Sequence, residues 1–481
     1  MKKYIILSLS LFSMAACTRD ISSFNDQTKS PGIVPAPTLF SNAVKGITDG
    51  LASTNVGTNV FRLVVQHWAT TTYQDEPNYD FTTRNIPQLW WARMYRDVLV
   101  DLKESKRLIA TDVLLSDATK KNQNAIVDIM QVYTYSILIN TFGNIPYNDA
   151  LDFTNLNPKY DDAKTVSDDL FTRLNADIAA LNVAGSGFDA KSDLVYGTVA
   201  SESDRVKAWI KFANSLKLRM TMTVADVDAA KAKTAVEEAD KNAFTSAADN
   251  ALFKYLAITP NTNPIWVDII QSNRQDFVAA ASLVNKLNAL GDPRLSLFFK
   301  PNDAGVYVGG ISGSNNTFSS YAKISDRVTA TDYPALLLDY VEIEFYRAEA
   351  VERGFAVTGT AAEHYNNAVR ASILYWGGTT AMADAYLLKP EVAYATATGN
   401  YKQKIGTQKW IALNNRGYEA WLEIRRLDYP VLTVPSTAKS GFPNRFTYPT
   451  NEQTLNKTNY TDAAAKIGGD KVETKLFWDK F

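Results

Sequence analysis

Thiols and imidazoles are scarce in this chain: one cysteine, Cys17, and two histidines, His67 and His364, among 481 residues. A lone cysteine forms no internal disulfide and cannot build a thiolate metal centre. The two histidines lie far apart in sequence, so a His-rich metal site is excluded, and any catalytic triad would have to use one of them. Neither sign of charge dominates. Fifty Lys and Arg stand against 51 Asp and Glu, for a net charge of -1, which leaves no basic surplus for nucleic acid. No stretch offers the roughly 18 apolar residues that a membrane-spanning helix requires. The nucleophile-elbow pattern G-x-S-x-G is missing, and Gly313-Ser314 falls in a loop without the strand and helix such an elbow needs. Among so many carboxylates a glycosidase pair can always be imagined, yet none stands in a recognisable context. The expectation is therefore a protein that is not an enzyme, with no catalytic residue, metal or cofactor.

The single cysteine gains meaning from its position. Lys2 and Lys3 precede an apolar run from Tyr4 to Phe12, and small residues lead up to Cys17, which is the layout of a secretory signal. Met14-Ala15-Ala16 could serve an ordinary signal peptidase, with Cys17 merely nearby. Met14-Ala15-Ala16-Cys17 also resembles the bacterial lipobox, and that resemblance implies that Cys17 becomes the first mature residue and carries acyl chains. Each buried methylene contributes about 0.8 kcal/mol, so several acyl chains anchor a protein stably where one holds only marginally. The polar segment that follows, with Pro31, Pro35 and Pro37 near its end, reads as a tether. The chain thus divides into a signal peptide (1–16), a lipidated cysteine and tether (17–37), and a globular body (38–481). Its 46% apolar content allows a large core.

Helical periodicity dominates that body. From Asn124 to Phe142, Ile126, Ile129, Met130, Tyr133 and Ile137 recur at spacings of three and four, with Gly143 as a stop. Arg205 to Thr223 repeats the pattern with Val206, Trp209, Ala213, Leu216 and Met220, and places Lys207, Lys211 and Lys217 on other faces. Further helices are expected over Trp90 to Ile109, Thr165 to Leu181, Asp339 to Arg353 and Ala361 to Trp376. In the last of these, Ala361, Tyr365 and Ala368 reproduce the small-aromatic-small spacing of a tetratricopeptide repeat. The fold class expected is mainly α, with tetratricopeptide-like helix pairs and a loop-rich remainder packed onto them. The long segments 301–316 and 435–459 are read as loops, and loops of that length are usually functional or disordered.

Four stretches then carry a family resemblance. Phe142 to Ala150 (FGNIPYNDA) resembles "Y-G-D-I-P-Y-x-E-A", with Asn144 where Asp is commoner. Trp209 to Arg219 (WIKFANSLKLR) is similar to "W-x-K-F-A-N-S-L-x-L-R". Glu342 to Gly354 (EIEFYRAEAVERG) is similar to "E-x-x-F-x-x-A-E-A-x-x-R-G". GYEAWLEIRRLDYP and FPNRFTYPTNE, within 410–452, match its closing motifs. In this order they resemble the SusD/RagB family of outer-membrane lipoproteins, in its SusD-like branch. The resemblance implies a helical protein on the outer membrane, facing outward. It further implies a lid over a SusC-like TonB-dependent transporter that passes on a glycan, or in some members a peptide, without altering it. A protein-interaction scaffold is the remaining alternative.

The motifs themselves are read as structural. Trp209 and Asn214 share a helix that carries an apolar stripe, as a core aromatic and a hydrogen-bonded Asn, and Arg425-Arg426 beside Glu419 and Glu423 have the spacing of helical ion pairs. Trp90 and Trp91 are expected to start a core helix. A glycan needs exposed aromatic faces for its C–H surface and polar groups for its hydroxyls. The stretch 67–91 interleaves Trp68, Tyr73 and Tyr79 with Gln74, Asp75, Asn78 and Arg84. Trp266 stands near Asn273, Arg274 and Asp276, Tyr307 lies in the glycine-rich loop, and Trp376 precedes Gly377-Gly378. The candidate ligand contacts are therefore Trp68, Tyr73, Tyr79, Trp266, Arg274, Tyr307 and Trp376.

Overall fold

The computed structural model describes residues 34–481; the signal peptide, Cys17 and most of the tether lie outside the described residues. The main helices are α1 (Ala36–Ala52), α2 (Val100–Thr111), α3 (Asp117–Phe142), α4 (Ala163–Ala180), α5 (Glu202–Thr223), α6 (Ala229–Ala239) and α7 (Ala281–Leu290). They continue with α8 (Tyr340–Glu352), α9 (Ala361–Tyr375), α10 (Thr380–Leu387), α11 (Tyr401–Ala412) and α12 (Gly417–Leu427). Helices α1 to α6 pack in sequential pairs, and α8 to α11 form a second helical group around Phe345, Tyr365, Ala368 and Ile373. The chain is mainly helical, and among the described residues no helix is long and apolar enough to cross a membrane.

Local chemistry sets the helix ends. The Ser116 hydroxyl accepts the Thr119 amide at 3.2 Å to start α3, and Gly143 ends it with φ +83, a conformation that costs glycine little. Thr360 and Glu363 form a reciprocal capping box at the start of α9. Asp339 caps α8 through the Glu342 amide. The helix expected over Trp90 to Ile109 is instead a composite, in which Ile86–Ala92 passes through a π-helical stretch, Arg93–Leu99, into α2. Within 435–459, the segment Thr450–Leu455 is helical rather than loop.

Of two helices read as amphipathic, α3 proves to be enclosed over most of its length and α5 from Phe212 onward. From Ala125 onward α3 is buried on nearly every side, Val127, Gln131 and Ser136 included, because it threads between α2, α4 and α5. Lys217 of α5, expected on an exposed face, has its stem buried and carries its ammonium out to Glu238 at 2.9 Å.

The four family motifs meet in the interior. Arg219 of α5 bonds Glu342 of α8 at 2.6 Å, and Arg426 of α12 bonds Glu349 of α8 at 2.6 Å. Arg445 donates to the Phe142 carbonyl at 2.9 Å. The Tyr448 hydroxyl donates to the Asn144 carbonyl at 2.9 Å. Trp209 is fully buried and donates to Asp193 at 2.8 Å. These motifs hold helices to one another.

Among the described residues the sheet structure is limited to three two-stranded antiparallel ribbons: β1 (Trp68–Thr70) with β3 (Phe277–Ala279), β2 (Ala251–Phe253) with β6 (Ala335–Leu338), and β4 (Phe299–Lys300) with β5 (Lys323–Ile324). The first and third lie side by side, joined where the Ala279 amide donates to the Ala322 carbonyl at 2.8 Å. They form the platform for the loop-rich face.

Candidate ligand-binding site

Pairing of β1 with β3 aligns Trp68 with Ala279 and Thr70 with Phe277, which brings the loop after β1 against the segment before β3. The Thr71 amide donates to the Asp276 carbonyl at 2.9 Å, and the Thr71 hydroxyl to the Gln275 carbonyl at 2.6 Å. The glycine-rich loop joins through two asparagines. Asn316 donates to the Thr70 carbonyl at 2.8 Å, and Asn78 to the Gly313 carbonyl at 2.9 Å. Gly313 is required at its position: φ is +77, and a Cβ would meet Asn78 Oδ1 at 2.5 Å and Pro435 at 2.6 Å.

Beside these loops, residues between Ile269 and Phe277 and between Phe318 and Thr329, with Lys300, line a cleft of about 280 Å³. Its floor is apolar, made by Ile269, Phe277, Phe318 and Ile324. The Phe318 ring is half-buried and packs on Ala69, Val278 and Ala280, with the Lys323 ammonium 5.0 Å from its centre. Around the rim the charges are matched: Arg274 with Asp276, Lys300 with Asp326, Lys323 with Asp303. Such a rim offers many hydrogen-bonding groups and little net field, so it suits a neutral polyhydroxyl ligand better than a polyanion. Each rim aspartate already faces a cation. No cluster of three or more His, Cys, Asp or Glu suited to a metal occurs among the described residues.

The sequence-derived candidates separate sharply. Arg274 lines the cleft. Tyr73 adjoins it, half-buried, with its hydroxyl bonded by Arg274 and 3.3 Å from Asp276 Oδ2. The guanidinium of Arg84 lies 5.1 Å from its ring centre and that of Arg274 5.7 Å. Burial and the Asp276 carboxylate raise the Tyr73 phenol above its ordinary pKa, which keeps it a hydrogen-bond donor. Trp266 opens the π-helical turn Trp266–Gln271 and is half-buried outside the cleft lining, as is Tyr307 in the glycine-rich loop.

Three candidates are core residues. Trp68 is 2% exposed, with Arg62 5.0 Å and Phe277 5.7 Å from its ring. Tyr79, 2% exposed, meets the Phe442 ring edge-on at 6.3 Å. Trp376 is 3% exposed and packs on Phe298 at 4.5 Å. None has a ring face free for a sugar, because β1 and the end of α9 face inward. Phe318, Lys300 and Lys323 were missed by the sequence reading. The only sequence signal for Phe318 is that it follows directly on the glycine-rich loop.

Two other cavities fit a glycan less well. One, of about 40 Å³, is enclosed among Asn263, Asp339, Arg416 and Glu419 and has room only for water. The other, of about 350 Å³ beside Trp91, Tyr95, Phe153 and Leu156, is mainly apolar.

A helical body that presents a loop-built cleft with an apolar floor and a charge-balanced rim has the form of a binding protein. Comparison narrows the class: the chain matches, over residues 26–449, the SusD-like family model described as starch-binding associating with outer membrane. The chain belongs to this SusD-like family. Similar solved structures include a chitin-binding protein, 26% identical with a TM-score of 0.78, over 92% of this chain and 100% of that one. A SusD homologue from Bacteroides uniformis is 26% identical, with a TM-score of 0.77, over 92% of this chain and 99% of that one. A chitin-binding SusD homologue from Flavobacterium johnsoniae, 23% identical with a TM-score of 0.76 over 92% and 98% of the two chains, shares the fold. No curated protein matches the sequence.

Proposed function

We propose that this protein is a lipid-anchored binding protein of the outer membrane, exposed on the cell surface, that captures a glycan and delivers it unaltered to a SusC-like TonB-dependent transporter. The observation that carries the reading is the half-buried Phe318 ring in a cleft edged by matched ion pairs: an aromatic ring on which a sugar's C–H surface would replace the Lys323 ammonium, and neutralised polar groups for its hydroxyls. Family membership, and the chitin-binding names of similar structures, support the same ligand class. In this reading Arg274 and Tyr73 bind the first ring and its hydroxyls, and Trp266 and Tyr307 meet further units of a longer chain. Cys17 carries the acyl chains, and no catalytic step, metal or cofactor takes part.

Calorimetric titration with chitin-derived and starch-derived oligosaccharides, and with peptides of equal length, tests this. Binding of an oligosaccharide is expected, weakened by about 1–3 kcal/mol in Phe318→Ala with the melting temperature little changed. Binding of peptides alone would transfer the same lid role to peptide cargo, for which the rim cations and carboxylates could pair the chain termini. Silence toward both classes from folded protein would contradict the reading.

A further inference from the structure

Among the described residues the most exposed aliphatic side chains lie outside the cleft lining, in the turn between α2 and α3. Val113 is 90% exposed and Leu114 91% exposed, with Val183, 39% exposed, at the same end of the molecule. The turn is well held. The Asp112 side chain accepts the Leu114 amide at 2.8 Å, Leu115 packs inward against the core, and Ser116 caps α3. Two neighbouring aliphatic side chains are thus presented to solvent by an ordered support. Lys120 and Lys121 follow in the first turns of α3, where they line a groove with Asp117 and Asp177.

The position of this turn points to its partner. Helix α1 runs antiparallel to α2, with the Ala36 carbonyl bonded by Ser105 at 2.8 Å, Asn42 bonded to Asp101 at 2.7 Å, and the Gly46 carbonyl bonded by Arg93 at 3.2 Å. The chain from the N-terminal cysteine therefore enters the body beside the C-terminal end of α2. From Ser105, α2 continues to Thr111 and carries the turn about 9 Å farther along its axis. Val183 joins this end because Asn182 and Asn122 of α3 exchange two hydrogen bonds, at 2.9 and 2.8 Å. At its other end, about 25 Å along the helix, α1 reaches the ligand loops, where Ser53 and the Thr54 amide bond Asp268 at 3.1 and 3.0 Å. Residues 18–33 can span at most about 55 Å in any conformation, so an acylated Cys17 keeps the α1 start, and the turn beside it, within reach of the bilayer.

We propose that the Asp112–Leu115 turn is a membrane foot. Val113 and Leu114 insert into the lipid surface that holds the Cys17 acyl chains, Lys120 and Lys121 meet its phosphates, and the ligand cleft is held off that surface by the length of α1. The inference rests on the lipid-anchor reading of Cys17.

The anchored protein provides its own test, since an acylated Cys17 leaves no free thiol. Leu114→Cys and, as a reference on another exposed side chain, Leu388→Cys would each be nitroxide-labelled and reconstituted in phosphatidylethanolamine–phosphatidylglycerol vesicles. Collision rates with oxygen and with a water-soluble nickel chelate are then compared. The foot predicts an oxygen-to-nickel ratio several-fold higher at position 114 than at position 388. Equal ratios, with acylated protein floating on the vesicles, overturn the foot and leave the anchor standing. Protein whose mass shows no acyl chains and which does not float overturns the anchor and the foot with it.

Discussion

Trp68 has Arg62 against its indole and Phe277 beside it, at the point where β1 turns into the core. Replacing it by alanine should cost about 3–5 kcal/mol of stability, read from denaturant unfolding, because the ring fills interior volume; a variant of unchanged stability with lost ligand affinity would contradict its burial. His364 makes a different kind of prediction. Burial disfavours its charged form, but the Glu344 carboxylate at 3.0 Å outweighs that and raises its pKa above the ordinary histidine value. The folded value exceeds the unfolded one, so the stabilisation is complete below about pH 6.5 and is lost as pH rises through the folded value. His364→Gln should therefore flatten the fall in melting temperature between neutral and mildly alkaline pH, and an unchanged slope would count against the pair. His67 behaves oppositely. Burial pushes it down to about 3, and its ring stays neutral against the Trp410 carbonyl at 3.0 Å.

Buried charge holds helix α12 to α8 and α11. Arg426 lies 2.6 Å from both Glu349 and Glu423, and Glu423 also receives Lys409 at 2.9 Å and the Tyr346 hydroxyl at 2.7 Å. Burial alone would raise the Glu423 pKa, but Arg426 and Lys409 bring it down to about 2. Burial brings Lys409 down to about 8. Glu423→Gln leaves two buried cations short of a counter-charge and should destabilise by about 3–5 kcal/mol in urea unfolding; a loss under 1 kcal/mol would mean the charges relax to other partners. The three-residue spacing of Glu423 and Arg426 revealed their pairing in the sequence. Glu349 did not emerge, since nothing local ties it to a helix so far along the chain. Arg425, in the same motif, forms no salt bridge among the described residues: it stacks 3.5 Å from the Trp421 ring centre and donates to the Asn140 and Asn444 carbonyls. Helix ends were readable from glycines such as Gly143 and caps such as Asp339. The enclosure of α3 was not, because an apolar stripe marks one contact face and remains silent when polar residues such as Gln131 are buried by neighbours on the others.

The cleft exists only where distant segments meet. Loop composition in the sequence pointed to the stretch after Trp68, the stretch around Arg274 and the glycine-rich loop, and all three converge on the β1–β3 ribbon. Which aromatic ring reaches the cleft depends on register and on the direction each short strand faces. The β1–β3 pairing draws Trp68 inward, while Phe318, outside both strands, stays half-buried against Ala69, Val278 and Ala280 under the Lys323 ammonium, an outcome that residue type could not reveal. The family motifs, by contrast, could be read because they encode helix-to-helix contacts, and none of their residues lines the cleft. What the molecule does turns on whether this platform holds a sugar intact. A crystal structure with a bound chitin- or starch-derived oligosaccharide tests that most directly. A sugar ring stacked on Phe318, its hydroxyls bonded to Arg274 and Asp276 and the chain at full length, is the predicted result. An empty cleft at saturating ligand, or shortened sugars in the crystal, would contradict it.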